Sequence, residues 1–492
     1  MTCRRLVDRG SRWARLPALA AASAVALIGG ASEPAFAGSV TVKTERISPP
    51  SPFSPAAPCA LANPGFSPGY AQETSVAVNP VDPKQVLVSW IQDGRATDTV
   101  MASRDGGRSF SRVLVPRLSA CTGGSFQATS DPGVAFTADG RMAYQTAIVV
   151  SDVASEADAS TAMFAARSFS GGFSWETPRT VQPATGDFWD LPRVTPDPRN
   201  PKKAYYVYDL RLPPDFLHGY SVLSVTKDRG KTWSAPRTLY DPQTSNSWPG
   251  ITKILVNDDG SLLAVMAIVA SDLSEPGGDR RADDVREVPT EQLAVRSTDG
   301  GRTWSAPVTI GSSTGRDVND PVSGFTMNAY DTYPSQTVAP NGDVYVSWLQ
   351  PGETNNSSRI EVARSTDGGR TWKNRGFPVE SQAALPTVEV AGDGTVGVVY
   401  YKIAAQSTGG YWPARVRVAI SRNRGRAWSQ HPVAGPFNFL TAGSKARPCC
   451  FLGDYEGAAR LPHGIVAAMP MGEPTKNNVD VYFARIKTSG RK

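Results

Sequence analysis

Five carboxylates, Glu73, Asp131, Asp190, Asp331 and Asp454, each stand at or just before the start of an apolar, β-rich run. If those runs converge on one axis, the carboxylates form a ring. Such a ring could hold Ca²⁺, a hard cation that takes oxygen ligands, or supply the acid/base pair that splits a neutral glycoside. The plainer alternative is that each caps a strand start. Two short segments add other reactive types: "DGRATD", with Asp93, Arg95 and Asp98, and "GDYEGAARLPHG", with Tyr455. Arg193 opens a run of its own. Three histidines (His218, His431, His463) and no C-x-x-C leave no zinc spacing. "GSSTG" (311–315) fits G-x-S-x-G, but it follows a turn phrase with no strand-to-helix elbow.

The elements that would position these groups are announced by a repeat. "RSTDGGRTW" occurs twice without change, from Arg296 and from Arg364. Looser copies bring the phrase to six, starting at Ser103, Ser168, Thr226, Ser297, Ser365 and Ser421, with spacings of 65, 58, 71, 68 and 56 residues. Repeats of this length mark stacked supersecondary units. Within each, Asp closes a turn through its side chain, Gly supplies the reversal, and Thr-Trp restarts a strand. Nothing in the phrase requires a substrate.

Each phrase is preceded by two apolar runs about a tight turn, as in "TVAPNGDVYVSW" (Thr337 to Trp348). Such inner hairpins number seven, against six phrases. The seventh unit continues with "VDVYFARI" (Val479 to Ile486), and "SVTVKTERI" (Ser39 to Ile47) is the strand available to complete it. The expectation is an all-β propeller of seven four-stranded blades closed by an N-terminal strand, which removes free sheet edges. Six blades is the alternative. Long loops such as 211–220, 271–292 and 404–414 would share one face, with Tyr401, Tyr411 and Trp412 as exposed aromatic platforms.

The phrase S/T-x-D-x-G-x-T-W resembles the Asp-box, or BNR repeat, of the sialidase superfamily and other secreted β-propellers. That resemblance covers most of the chain after the leader. It implies boxes between the third and fourth strands of each blade, away from the active site. It also implies an arginine triad for the substrate carboxylate, a tyrosine nucleophile assisted by a glutamate, and an aspartate acid/base. Tyr455 and Asp98 match the nucleophile and acid/base positions. The triad does not match: "QETSVAV" opens the first blade with Glu73 near the place of the first arginine, and of the remaining arginines only Arg193 begins an inner strand. Two readings follow. One is a glycoside hydrolase of sialidase-like descent acting on an extracellular glycan or glycoprotein. The other is a non-catalytic propeller that binds a glycan or protein. The binding residues expected are Glu73, Asp93, Arg95, Asp131, Asp190, Arg193, Asp331 and Asp454. No cofactor is required, with Ca²⁺ as the one cation the ring could take.

Residues 1–37 read as a secretory signal ending at Ala35-Phe36-Ala37, and 38–492 as one propeller domain. The apolar stretch is too short to span a bilayer, and Arg4-Arg5 leaves the twin-arginine route open beside general secretion. The leader holds five arginines against Asp8 and Glu33, so 6 − 3 = +3 of the formal charge stays with the mature chain. That is too little to suggest nucleic acid. A secreted monomer is expected. Cys59, Cys121, Cys449 and Cys450 remain after cleavage, an even count that favours disulfides outside the cell. Three pairings are open, Cys59 with Cys121 plus a vicinal Cys449–Cys450 bridge or either of two crossings between these regions, and a crossing is expected because it would lock the seam of the ring.

Overall fold

A computed structural model describes residues 39–151, 160–212, 218–244, 247–270, 290–314, 318–327, 333–443, 449–473 and 478–488. The proposed leader, Asp331 and most of the 271–292 loop lie outside these residues. Residues 38–492 form one compact unit.

Seven antiparallel sheets make a propeller. The inner strands are Ala71–Val78, Ala128–Phe136, Phe188–Pro196, Ser247–Val256, Ser335–Val338, Gln382–Val390 and Gly457–Leu461. Six blades are built from consecutive strands, and blade five adds the short strand Phe377–Val379 at its outer edge. A small hairpin, Val318–Asn319 with Thr326–Met327, stands in the link between blades four and five. Second strands such as Val86–Gln92 and Ala143–Val150 are buried along their whole length, because both faces press on neighbouring blades.

Blade seven takes its outer strand from the other end of the chain. Val40–Arg46 pairs antiparallel with Val479–Thr488, from Val40 opposite Thr488 to Arg46 opposite Tyr482. The strand is followed by a polar clasp. Ser48 Oγ donates to Asp480 at 2.6 Å, and Arg46 lies 3.3 Å from the same carboxylate. Burial pushes the Asp480 carboxyl up to about 6, with the neighbouring Glu473 adding to the rise.

The boxes are turns made rigid by one side chain. Asp367 Oδ1 accepts from Arg370 N at 3.0 Å and Thr371 N at 2.9 Å, while Oδ2 accepts from Thr371 Oγ1 at 2.6 Å. Asp105 and Asp299 repeat the pattern, and bonds from Ser109 and Thr303 hold their carboxyls below the ordinary carboxylate range. Where the second box has Ser170, its Oγ accepts from Ser174 N instead, at 2.8 Å. The box also joins blades. At Gly107, φ is +75°, and a Cβ there would sit 2.4 Å from the Phe483 ring of blade seven. Equivalent glycines of later boxes abut Leu87, Leu223 and Leu263 of the blade before.

The sulfurs pair locally and do not cross the seam. Cys59 bonds Cys121 with Cα atoms 5.2 Å apart, and Cys449 bonds Cys450. The crossing expected from the sequence fails because the short helix Pro58–Leu61 in the lead-in segment packs on the turn Ala120–Thr122. That brings Cys59 to the entrance of blade two.

Two outcomes are expected. Deleting residues 39–47 exposes the edge of Val479–Thr488 and lowers the melting temperature sharply; equal melting of the shortened and full chains by calorimetry would contradict closure. Replacing Cys59 and Cys121 together by serine removes up to about 4 kcal/mol in the chain-entropy account, read as a lower urea midpoint with a slope that is equal or steeper, because the unfolded chain is freer to expand.

Candidate functional site

The site is aimed by a repeated irregularity. Five inner strands bulge near the same end, setting two residues against one on the neighbouring strand: 73–74, 131–132, 191–192, 252–253 and 385–386. A bulge bends its strand and redirects side chains. In four of them the first of the two residues takes left-handed backbone without being glycine: Glu73 (φ 57°), Asp131 (φ 55°), Leu191 (φ 51°) and Leu385 (φ 51°). Three carry proline second, Pro132, Pro192 and Pro386, where no ladder N–H is needed. Backbone of this kind is unfavourable unless its surroundings enforce it, and it concentrates where function does.

Through these bulges Glu73 and Asp131 come close enough for their carboxyls to bear on each other. The Glu73 carboxyl is raised well above its usual range, first by burial, then by Asp131 and Asp454, with Arg95 opposing. Tyr455 joins them from blade seven, donating its hydroxyl to Glu73 Oε2 at 3.2 Å. Gly453 makes this meeting of blades possible: a Cβ there would lie 2.5 Å from Glu73 Cγ. The two backbones are tied by Glu73 N–H to Leu452 O at 3.1 Å.

Arg193 lies over the Tyr455 ring, 3.9 Å from guanidinium carbon to centroid. Its Nη1 donates to Pro192 O at 2.8 Å and Asp131 O at 3.2 Å. Burial lifts the Tyr455 phenol well above its ordinary pKa, and the Arg193 charge opposes that rise. Asp190 pairs with Arg211 at 3.1 Å and takes a bond from Leu191 N at 3.0 Å. Its carboxyl is pushed up to about 6 by burial, against Arg211 and with Asp131. Arg95, itself at φ 74°, bears electrostatically on both Glu73 and Asp190.

Other sequence candidates land elsewhere. Asp98 is wholly buried on Thr97–Ser103, taking Thr129 Oγ1 at 2.9 Å and Gln145 Nε2 at 3.4 Å, and burial raises its carboxyl well above normal. Asp93 faces the lead-in segment, accepting from Gly69 N at 2.7 Å and Ser51 Oγ at 2.6 Å. Tyr401 and Trp412, expected as exposed platforms, are 1% and 0% exposed, because both rings pack into the fold and their polar atoms bond there, to Pro470 O and Ala404 O; Tyr411 is half-buried. Two residues were missed. Glu456 and Thr74 bond each other beside the Tyr455 and Glu73 pair, with adjacency to those residues as their only sequence signal. Among the described residues, no three His, Cys, Asp or Glu side chains converge as metal ligands, and no helix is long and apolar enough to cross a membrane.

Comparison with known proteins agrees with this architecture. The BNR/Asp-box repeat family matches residues 295–306. A sialidase of Bacteroides fragilis (strain YCH46) is 24% identical over 232 residues, covering 42% of this chain and 37% of that protein. Among solved structures, a Hadza microbial sialidase is 13% identical with a TM-score of 0.45, over 83% of this chain and 74% of the other. A Penicillium chrysogenum alpha-L-arabinanase complexed with arabinobiose is 14% identical with a TM-score of 0.44, over 77% and 98%. At these scores the structural likenesses carry no inference about activity. With its repeated boxes, the matched repeat and a sialidase among the proteins it is similar to, the chain is a β-propeller that carries BNR/Asp-box repeats.

Proposed function

We propose that the protein is a glycoside hydrolase acting on extracellular glycans, with Tyr455 as nucleophile and Glu73 as the base that accepts its proton. The hydrogen bond from the Tyr455 hydroxyl to Glu73 carries this reading. A free phenol is a weak nucleophile at neutral pH, and an adjacent base is the usual means of activating one. Attack by Tyr455 Oη on the anomeric carbon forms a glycosyl-tyrosine as the phenolic proton passes to Glu73. The Arg193 guanidinium over the ring favours the charge that develops on the oxygen.

The leaving oxygen needs a proton. Asp190 is the carboxyl suited to give it, since a carboxyl near 6 is still partly protonated close to neutrality. Asp98 is closed off by Thr129 and Gln145, and in this reading it backs the site without touching substrate. Water then cleaves the glycosyl-tyrosine, with Asp190 taking its proton and Glu73 returning the phenolic proton to the departing Tyr455 oxygen.

The substrate class follows from the charges. Glu73 stands beside the nucleophile, near where the resemblance calls for an arginine, and Asp131 and Asp454 bear on it. An anionic sugar would meet these carboxylates, so a neutral glycan fits better. The burial of Tyr401 and Trp412 withdraws support from a purely binding surface built on them.

A screen of sialyl, arabinosyl and hexosyl nitrophenyl glycosides tests the reading, with binding and hydrolysis measured separately. Turnover of a neutral glycoside is expected. Tyr455→Phe should lower kcat by about 10³-fold or more, and Glu73→Gln by about 10²- to 10⁴-fold. Full activity in Tyr455→Phe, or binding without hydrolysis, contradicts it. The pH dependence has a definite sign. Glu73 works ionised, and Asp131 is one cause of its raised pKa. Asp131→Asn should therefore move the acidic limb of the pH–rate profile to lower pH.

A further inference from the structure

Beside the Tyr455 and Glu73 pair lies a carboxyl that the proposed reaction does not use. Glu456 follows Tyr455 and is buried between the last blade and its neighbours. Its Oε2 is 2.7 Å from Thr74 Oγ1, and its Oε1 is 3.2 Å from the Tyr401 hydroxyl. Thr74, the residue after Glu73, is also 2.7 Å from the Ala468 carbonyl oxygen and accepts from Gly457 N at 3.1 Å. The Tyr401 hydroxyl is 2.8 Å from the Pro470 carbonyl oxygen.

The hydrogens can be counted. Thr74 and Tyr401 bring one hydroxyl hydrogen each, and both carbonyls only accept. Were Glu456 ionised, its oxygens would only accept too. Two hydrogens would then face four acceptor contacts, leaving two close oxygen pairs with no proton between them in a site nearly closed to water, which is costly. One proton on Oε2 changes this. The acid donates to Thr74, Thr74 donates to Ala468, and Tyr401 donates to Pro470. Only the longest contact, Tyr401 to Oε1, then lacks a hydrogen of its own, and linked donors of this kind reinforce one another.

We infer that Glu456 is a neutral acid whose hydrogen staples Thr74 of blade one to the last blade, holding Tyr455 and Glu73 in place. It is a positioning residue. Its catalytic meaning rests on the proposed roles of Tyr455 and Glu73, but the staple itself does not. Burial raises the Glu456 carboxyl well above its usual range, with the bonds from Thr74 and Tyr401 opposing. Tyr401, from blade six, is the titratable group that bears on it; blade one presents the uncharged Thr74, and the strand Gly464–Gly472 presents carbonyl oxygens. The sign follows from the raised folded pKa. The stabilisation is complete below the unfolded carboxyl pKa of roughly 4.3 and is lost as pH climbs through the folded value.

Glu456→Gln tests this, since an amide N–H can donate to Thr74 and its carbonyl can accept from Tyr401 with no proton to lose. Thermal melts of the full chain from about pH 5 to about pH 9 read the linkage. The variant is expected to fold, and its melting temperature should gain on the wild type steadily as pH rises. Tyr455→Phe should keep the wild-type slope, which separates the staple from the reaction: it holds whether or not any glycoside is cleaved. A difference that does not change with pH, a Gln variant that fails to fold, or a slope lost in Tyr455→Phe overturns the inference.

Discussion

The propeller depends on how closely each blade can approach the one before it. The box sets that distance, because its side chain bonds to its own backbone fold the turn tightly and its glycine then rests against the preceding blade. Gly107 against Phe483 and Gly369 beside Leu263 are instances from opposite parts of the ring. A methyl group at either would occupy space the neighbour already fills. The boxes therefore act on the site only through geometry. They hold the sheets so that the inner strands converge, and the cluster of Glu73, Asp131 and Tyr455 sits at the end of those strands away from the boxes.

At that other end regularity is given up. The bulges place Glu73 and Asp131 in left-handed backbone, bring two carboxyls together and bury both beside Tyr455. Each step is unfavourable alone. The surrounding bonds offset it: Leu452 O holds the Glu73 backbone, Arg193 covers the Tyr455 ring, and Arg211 partners Asp190. A rigid ring can carry such a site because its blades are pinned elsewhere.

What was legible in the sequence follows the range of the interactions. The boxes were readable because Asp367 and its counterparts bond within four residues, so the whole motif is local. Seven blades were readable because hairpins can be counted, and the closing strand Val40–Arg46 because one blade was left short. The meeting of Glu73 and Asp131 was visible as proximity to strand starts, but its geometry was not, since these inner strands are buried on both faces and offer little alternation for a bulge to interrupt. Tyr401 and Trp412 were misplaced because an aromatic near a loop has the same letter whether it turns outward or into the core. The disulfide pairing was hidden for a similar reason: that a lead-in helix packs beside residue 121 is a tertiary fact.

The closing strand also sets an order of events for the chain as it is made. Of the described strands, Val40–Arg46 is made before all the others and its partner Val479–Thr488 after them, with Val481 N–H bonding Ser48 across 433 residues. Until then the first strand has no sheet to join, and six blades wait in an open arc with exposed edges. Contacts this distant in sequence slow folding, and unpaired edges invite association. The same strand that protects the finished ring is the one whose late arrival leaves the nascent chain most in need of protection.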